Sequence, residues 1–393
     1  DASGLCLRQY FTLQDGPCEE SFEDCAAHVR YLVTDAIRRQ LVSDVPVCTF
    51  LSGGLDSSII SAVAKQELGT LTTFSVDYAD NDRYFTPGKF QPNSDNAFIS
   101  IMTNHLHSEH HRVVLNPAEL VDALYEATEA RDLPGMADVD ASLLLLCREM
   151  KQFATVGLSG ECADELFGGY PWYRDPEVRA TNGFPWSQTT AYRATFLRPE
   201  YMSRETPEDY VARWYRYTLD QTDRQPGLDP LEARMREMVM LNYQWFMQTL
   251  LDRKDRMSMW SGFEVRVPFC DRRIASYLYR VPWAYKDYRG REKGLLRYAT
   301  RDLLPPEIVE RKKSPYPKTW HPAYRAAVAA RLEEELHDAG SPLHALCRTG
   351  ALEDLLTENR ALPWYGQLMT TPQTMAYFVQ MAHWMRQYHV RIV

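Results

Sequence analysis

Ser52-Gly53-Gly54-Leu55-Asp56-Ser57-Ser58 is the stretch on which the reading of this 393-residue chain turns. It follows a short apolar run, Val45 to Leu51, and precedes a segment to Leu68 whose Ile59, Ile60, Val63 and Ala64 recur at helical spacing. A strand, a glycine turn and a helix in that order bring backbone N–H groups, hydroxyls and a helix N-terminus to one point. That is an anion cradle, and glycine lets the backbone turn tightly enough to make it. Asp56 would repel a phosphate held there, so its presence calls for a bridging Mg²⁺. The bland alternative is a glycine-rich turn with a Ser/Asp cap. The spacing is not the Walker pattern, which needs G-x-x-x-x-G-K-[ST].

Strand and helix patterns alternate on both sides of this turn. Ser21 and Asp24 can form a capping box ahead of a helix that runs to about residue 42 through Phe22, Ala26, Val29, Val33, Ala36 and Ile37. Leu71 to Tyr78 reads as a second strand, Asn96 to His107 as a helix and Arg112 to Leu115 as a third strand. Helical stretches at about 117–131 and 140–153 lead to a fourth strand, Ala154 to Leu158. This order predicts an α/β fold, a parallel sheet with helices on both faces and a ligand site at the carboxyl ends of the strands. Strand signals stop after about residue 170, and the remainder reads as mostly helical. The expected organisation is a lead-in segment or linker over 1–20, an α/β core over 21–170 and a helical part over 171–393 that completes the site. The long connection from Tyr78 to Asp95, with Asp80, Asp82, Pro87 and Pro92, is expected to close over a ligand.

The second chemical signal follows the fourth strand: Leu158-Ser159-Gly160-Glu161-Cys162-Ala163-Asp164-Glu165-Leu166-Phe167-Gly168-Gly169-Tyr170. It should reach the same sheet edge as the glycine turn. Three acids within five residues suit a helix N-terminus. Beside a phosphate cradle they suit a different division of labour, with one carboxylate on Mg²⁺ and another handling a proton.

The bulk properties exclude other classes. A net charge of −9 argues against a nucleic-acid partner, which favours a basic face. No apolar run of 18 residues and no signal peptide points to a membrane. The 8 cysteines form no C-x-x-C pair and no zinc-type Cys/His spacing, which implies a reducing, cytoplasmic compartment. His105, His107, His110 and His111 cluster in sequence. They fall between a helix and a strand, away from both motifs, so a solvated connection is expected there.

The glycine turn resembles the pyrophosphate-binding loop of enzymes that split ATP between the α and β phosphates. Taken with the acid-rich motif, with Leu251-Asp252-Arg253-Lys254-Asp255-Arg256-Met257-Ser258-Met259 and with Phe263-Glu264-Val265-Arg266-Val267-Pro268-Phe269-Cys270-Asp271, the chain resembles the asparagine synthetase family over about residues 20–320. The likeness is to the synthetase half of the glutamine-hydrolysing enzymes. It implies an adenine-nucleotide α-hydrolase-like core, with ATP and Mg²⁺ as cofactors and aspartate and ammonia as partners. It also implies β-aspartyl-AMP formation followed by attack of ammonia. By motif matching, Ser52, Gly53, Gly54, Asp56, Ser57 and Ser58 hold pyrophosphate and metal, and Asp164 is the second metal acid. Leu51, Val76 and Gly160 line the adenine pocket. Ser159, Gly160 and Glu161 face the adenylate. Glu161 takes a proton from the attacking ammonium, and Lys293 and Lys313 neutralise the phosphates, the choice of Lys313 over Lys312 resting on register.

Asp252, Asp255, Glu264, Arg266 and Asp271 are expected to form buried ion pairs bracing the site rather than to touch substrate. No glutaminase domain precedes the motifs, so ammonia would come free or from a partner, and a homodimer is open. The rival readings are a lactam- or macrolactam-forming synthetase, a tRNA-modifying adenylating enzyme and a non-catalytic nucleotide-binding module. The scattered cysteines and acidic balance weigh against the second, and the acid and lysine set against the third.

Overall fold

Val47 and Leu51 face one apolar core while Cys48 and Phe50 face another, the period-two alternation of a strand buried on both sides. The computed structural model describes residues 4–86, 94–358, 362 and 369–392. Among them β1 (Val47–Phe50), β2 (Thr72–Tyr78), β3 (Glu109–Leu115), β4 (Val156–Leu158) and β5 (Glu264–Arg266) form one parallel sheet in the order β3-β2-β1-β4-β5. Helices α1 (Phe22–Gln40) and α2 (Leu55–Leu68) contribute to the first core. The second is built with α6 (Asp138–Lys151) and α5 (Pro117–Arg131), the latter covered in turn by the helices Pro322–His337 and Thr371–Gln387. Two shorter elements, α3 (Asn81–Tyr84) and α4 (Asn96–Leu106), lie between β2 and β3. The expected α/β architecture is therefore present.

Local chemistry explains the helix ends. Ser21 Oγ accepts from the Asp24 N–H at 3.2 Å and donates to the Asp24 carboxylate at 2.7 Å, which starts α1. Asn116 and Glu119 form a full capping box ahead of Pro117 in α5.

The structure departs from the sequence reading in three places. A fifth strand comes from residues 264–266, inside the part read as helical, and it pairs with β4 through Val156, Gly157 and Leu158. Three residues are too few to show a strand period; the pairing is fixed by tertiary structure. The Arg266 guanidinium then donates to the carbonyls of Gln40 and Val42, both at 2.7 Å, tying the sheet edge to the end of α1.

β3 begins at Glu109, so His110 and His111 are strand residues and not a solvated connection. The His110 ring lies 2.9 Å from Thr73 Oγ1 and 3.0 Å from Ser75 Oγ, and burial pushes its pKa down to about 4. His111 stacks on Phe74 with ring centroids 5.0 Å apart. Glu-His-His-Arg lacks apolar alternation because this edge strand is braced by polar contacts. His105 and His107 are exposed, as expected.

Within the Tyr78–Asp95 connection, α3 forms one helical turn and the remaining stretch, 87–93, lies outside the described residues, Pro87 and Pro92 included. No helix among the described residues is long and apolar enough to cross a membrane.

Phe263 leads into β5, is fully buried and packs edge-on against Phe50 at 6.3 Å. Phe263→Ala should cost about 3–5 kcal/mol of stability by leaving a cavity under the sheet edge. The urea unfolding midpoint measures it.

Candidate active site

Gly53 adopts φ +66°, and a Cβ there would lie 2.6 Å from the Phe98 carbonyl carbon and 2.7 Å from the Ile99 nitrogen, against backbone that cannot yield. The glycine turn can therefore nest against α4 only as glycine. Ser57 Oγ receives the Ser52 N–H at 3.2 Å, while Ser52 Oγ receives the Gly54 N–H at 3.3 Å, which fixes the turn. Gly54 is the N-cap of α2 and supplies no side-chain cap. The positive end of α2 thus opens into the cleft.

The acid-rich turn meets this cradle directly. A Cβ on Gly160 would sit 2.9 Å from Asp56 Cβ and 3.2 Å from the Ser57 nitrogen. Lys293 Nζ bridges the two turns, 2.6 Å from Asp56 Oδ2 and 2.8 Å from Asp164 Oδ1, and Lys313 Nζ lies 2.7 Å from Asp164 Oδ2. Burial alone would raise the Asp164 carboxyl, but Lys293 and Lys313 outweigh it and hold it below the usual carboxylate range. Asp56 goes the other way: burial raises it further than Lys293 lowers it, and Asp164 adds like-charge repulsion. Asp56 Oδ1 is buried and accepts no hydrogen bond. It is a hard oxygen donor facing Asp164 with capacity to spare, which fits a divalent cation such as Mg²⁺.

Glu161 belongs to a second charge group. Lys254 Nζ lies 2.9 Å and an Arg253 nitrogen 3.9 Å from Glu161 Oε1, and Ser159 Oγ donates to Glu161 Oε2. Burial would raise Glu161, yet Lys254 and Arg253 overcome it and keep the carboxylate ionised. Glu161 is thereby suited to attract a cation and holds a proton only weakly while Lys254 stays in place.

The two turns and their lysines open on a cleft of about 290 Å³ at the carboxyl ends of β1, β2 and β4. Leu51, Val76, Ser159 and Gly160 line it beside the charged groups. Seven Lys/Arg residues face five Asp/Glu residues around its wall. A chain of net charge −9 therefore presents a locally positive cleft.

Apart from Gly53 and Ser58, every residue expected at the site lines this cleft. Gly53 shapes the turn from behind, and Ser58 is buried with an unpartnered Oγ. Lys313 reaches Asp164, whereas Lys312 is exposed. Ion pairs form in the later motifs but are not buried: Asp252 pairs with Arg131 and Arg256, both at 3.5 Å, Glu264 with Arg266 at 2.7 Å and Asp271 with Arg273 at 2.7 Å. Asp252, Asp255 and Glu264 are exposed, and Asp271 caps the Arg272–Arg280 helix. The buried charges of that stretch are the basic ones, Arg253 and Lys254, each 4% exposed. Flanked by Asp252, Asp255 and Arg256, they carry no local mark of burial in the sequence.

Arg311 also escaped the sequence reading. It donates to the Ser52 carbonyl at 2.9 Å and pairs with Asp95, clamping the glycine turn to the start of α4. Lys293 and Cys162 both take left-handed backbone, φ +56° and +77°, at the N-termini of short helices. Such strain costs about 1–3 kcal/mol and here aims side chains into the cleft.

The strand–glycine turn–helix cradle, the facing acid turn and the parallel sheet beneath them define an adenine-nucleotide α-hydrolase-like protein. The chain belongs to the asparagine synthase family, whose model matches residues 28–386. It is 46% identical to asparagine synthetase [glutamine-hydrolyzing] 3 of Bacillus subtilis (strain 168) over 99% of its own length and 64% of that protein's. Asparagine synthetase [glutamine-hydrolyzing] 1 of the same organism is 27% identical over 80% of this chain and 52% of its own. The Bos taurus asparagine synthetase [glutamine-hydrolyzing] is 26% identical over 75% and 43%. The chain thus spans less than two thirds of the length of these curated relatives. Among solved structures, NMN synthetase from Francisella tularensis aligns with TM-score 0.26 and 15% identity, covering 39% of this chain and 60% of that one, too slight a match to add to the reading.

Lys293→Met should lower stability by about 3–5 kcal/mol, because it leaves two buried carboxylates facing each other. Lys312→Met, at the exposed neighbouring position, should change it by less than about 0.5 kcal/mol. Urea denaturation of both variants checks this.

Glu165 is 1% exposed and is pushed up to about 7, first by burial and then by Asp164. The folded protein therefore holds this proton to about pH 7, whereas the unfolded chain releases it near the ordinary 4.5. The stability that Glu165 contributes is complete below that lower value and declines as pH rises to about 7. Glu165→Gln, neutral throughout, should gain on the parent by up to about 3 kcal/mol across this window and run parallel above it. Unfolding free energies measured through and beyond the window test the sign.

Proposed function

We propose that this chain makes an amide from a carboxylate by way of an acyl-adenylate, with aspartate as the carboxylate, ammonia as the amine and ATP as the activating nucleotide. Lys293, held between Asp56 and Asp164, carries this reading. It places the phosphate cradle and the acid turn in one pocket with a cation between them. Adenylation brings a carboxylate against a triphosphate, two anions that repel unless fixed cations and dipoles receive them. The open N-terminus of α2, the Ser52–Ser58 turn and the ammonium groups of Lys293 and Lys313 are those receivers.

Asp56 and Asp164 are the residues to hold Mg²⁺, which when bound neutralises charge on the pyrophosphate portion. Leu51, Val76 and Gly160 form the wall for the adenine. Ser159 and Glu161 face the acyl group, and Glu161 draws in the attacking amine and takes its proton as the amide forms. For that step Lys254 must yield part of its contact with Glu161, which raises the basicity of the carboxylate when it is needed. The ammonia comes from glutamine through a glutaminase domain or partner, and the setting is cytoplasmic.

Incubation with ATP, Mg²⁺, aspartate and ammonium should release AMP, pyrophosphate and asparagine in equal amounts. AMP without asparagine would assign the chain to another amine acceptor, including an internal one that closes a lactam. No AMP with aspartate would remove aspartate as the carboxylate. Glu161→Gln should lower kcat by about 10²–10⁴-fold, the usual worth of a positioned proton acceptor. Under single-turnover conditions it should release pyrophosphate faster than it forms asparagine, since adenylation precedes the proton step.

A further inference from the structure

Cys18, Glu20 and Cys25 place one sulfur or oxygen donor each within 4.8 Å of one another, and His28 stands beside them. None of the four lines the cleft. From this cluster we propose a second cation site, remote from the nucleotide pocket, that takes a borderline-soft divalent ion of the zinc class through two thiolates and a carboxylate, with His28 holding the carboxylate in place.

The spacing of the donors is that of a coordination shell. Zinc–sulfur bonds of about 2.3 Å and zinc–oxygen or –nitrogen bonds of about 2.0–2.1 Å set the edges of a tetrahedron. These come to about 3.8 Å between sulfurs and about 3.6 Å from sulfur to oxygen. The observed separations are 3.6 Å from Cys18 Sγ to Cys25 Sγ and 3.8 Å from Cys25 Sγ to Glu20 Oε2, while His28 Nδ1 lies 3.2 Å from the other oxygen, Glu20 Oε1. All eight cysteines are free, so the close sulfur pair is not a disulfide.

The protein also builds the surroundings such a shell needs. Cys25 offers its thiolate from α1, and His28, one helical turn further on the same face, contacts the second Glu20 oxygen and so orients that carboxylate. Cys18 and Glu20 arrive from the segment ahead of the helix, and that segment is anchored independently. Leu13 is buried, and Asp15 pairs with Arg236 at 2.9 Å. Tyr277, from the Arg272–Arg280 helix, donates to the Glu20 carboxylate and packs its ring 4.1 Å from that of His28, the supporting contacts that orient metal-binding side chains. Two thiolates and a carboxylate around a dication leave one negative charge.

Spacing along the chain conceals this group. Cys-x-Glu-x₄-Cys-x₂-His fits no common zinc pattern, because the chain changes from extended to helical at Ser21. The consequence of binding is mechanical. The ion fastens the stretch ahead of α1 to α1 itself, and Mg²⁺ at Asp56 and Asp164 is unaffected.

The test uses the full chain without a polyhistidine tag, stripped of metal under reducing conditions and titrated with Co²⁺. About one Co²⁺ per chain should bind with thiolate-to-cobalt charge-transfer absorption, Zn²⁺ should displace it and raise the Tm, and Mg²⁺ with ATP should leave the signal unchanged. Cys18→Ser should abolish the absorption. His28→Ala, at a half-exposed position that tolerates change, should weaken Co²⁺ about 10–100-fold while AMP release stays as in the parent. Absence of thiolate absorption in the folded parent, or the same absorption in Cys18→Ser, overturns the site. So does recovery of Cys18 and Cys25 as a disulfide from protein handled without oxidant.

Discussion

The ammonium of Lys293 lies between the carboxylates of Asp56 and Asp164, and the arrangement of the whole molecule can be followed from that contact. Each carboxylate ends a strand–turn unit, one after β1 and one after β4, and these strands are neighbours in the sheet. Without a cation between them the two acids would repel across a buried gap, and the turns that carry them could not touch through Gly160. Burial would strip the lysine of its proton, but Asp164 and Asp56 outweigh that effect and keep it charged. Desolvated charges of this kind are costly unless the geometry is fixed on all sides. The left-handed backbone at Lys293 is part of how it is fixed.

A second layer of charge holds the first in place. Glu292, next in sequence to Lys293, accepts from Arg297 at 2.8 Å and from the Lys313 backbone N–H at 3.0 Å, so one carboxylate orients the segments bearing both cleft lysines. Arg311 does the same for the glycine turn through Ser52. Beside Glu161, Lys254 packs 4.2 Å from the Phe50 ring and Arg253 5.1 Å from the Tyr316 ring, so cations that would be costly in an apolar wall are shared between Glu161 and aromatic faces. The cleft is positive because these groups are held there by neighbours, not because the chain is basic.

The α/β core and the two turns were legible because each is a local pattern: an apolar run, a glycine turn, a helical period, an acid cluster. Helix α5 was expected over about 117–131 and runs Pro117–Arg131, its start fixed locally by the Asn116–Glu119 capping box. What stayed hidden depends on contacts distant in sequence. β5 is three residues long and becomes a strand only beside β4. His110 is a structural residue only because Thr73 and Ser75 face it from β2. Arg253 and Lys254 look like surface charges in a charged helix until Glu161 is brought to them from nearly a hundred positions earlier. Lys313 was separable from Lys312 by register with the family motif, but the physical difference between them, one bonded to Asp164 and one in solvent, exists only in three dimensions.

The late position of β5 has a bearing on synthesis of the chain. A ribosome that has released residues 21–170 has delivered Asp56, Asp164 and the glycine turn, but neither Arg266, which closes the sheet edge on α1, nor the lysines at 293 and 313. A chain of those residues alone has an unsealed β4 edge and lacks the cations that face Asp56 and Asp164. The cleft can therefore close only when residues 264–313 have joined the sheet and its two turns.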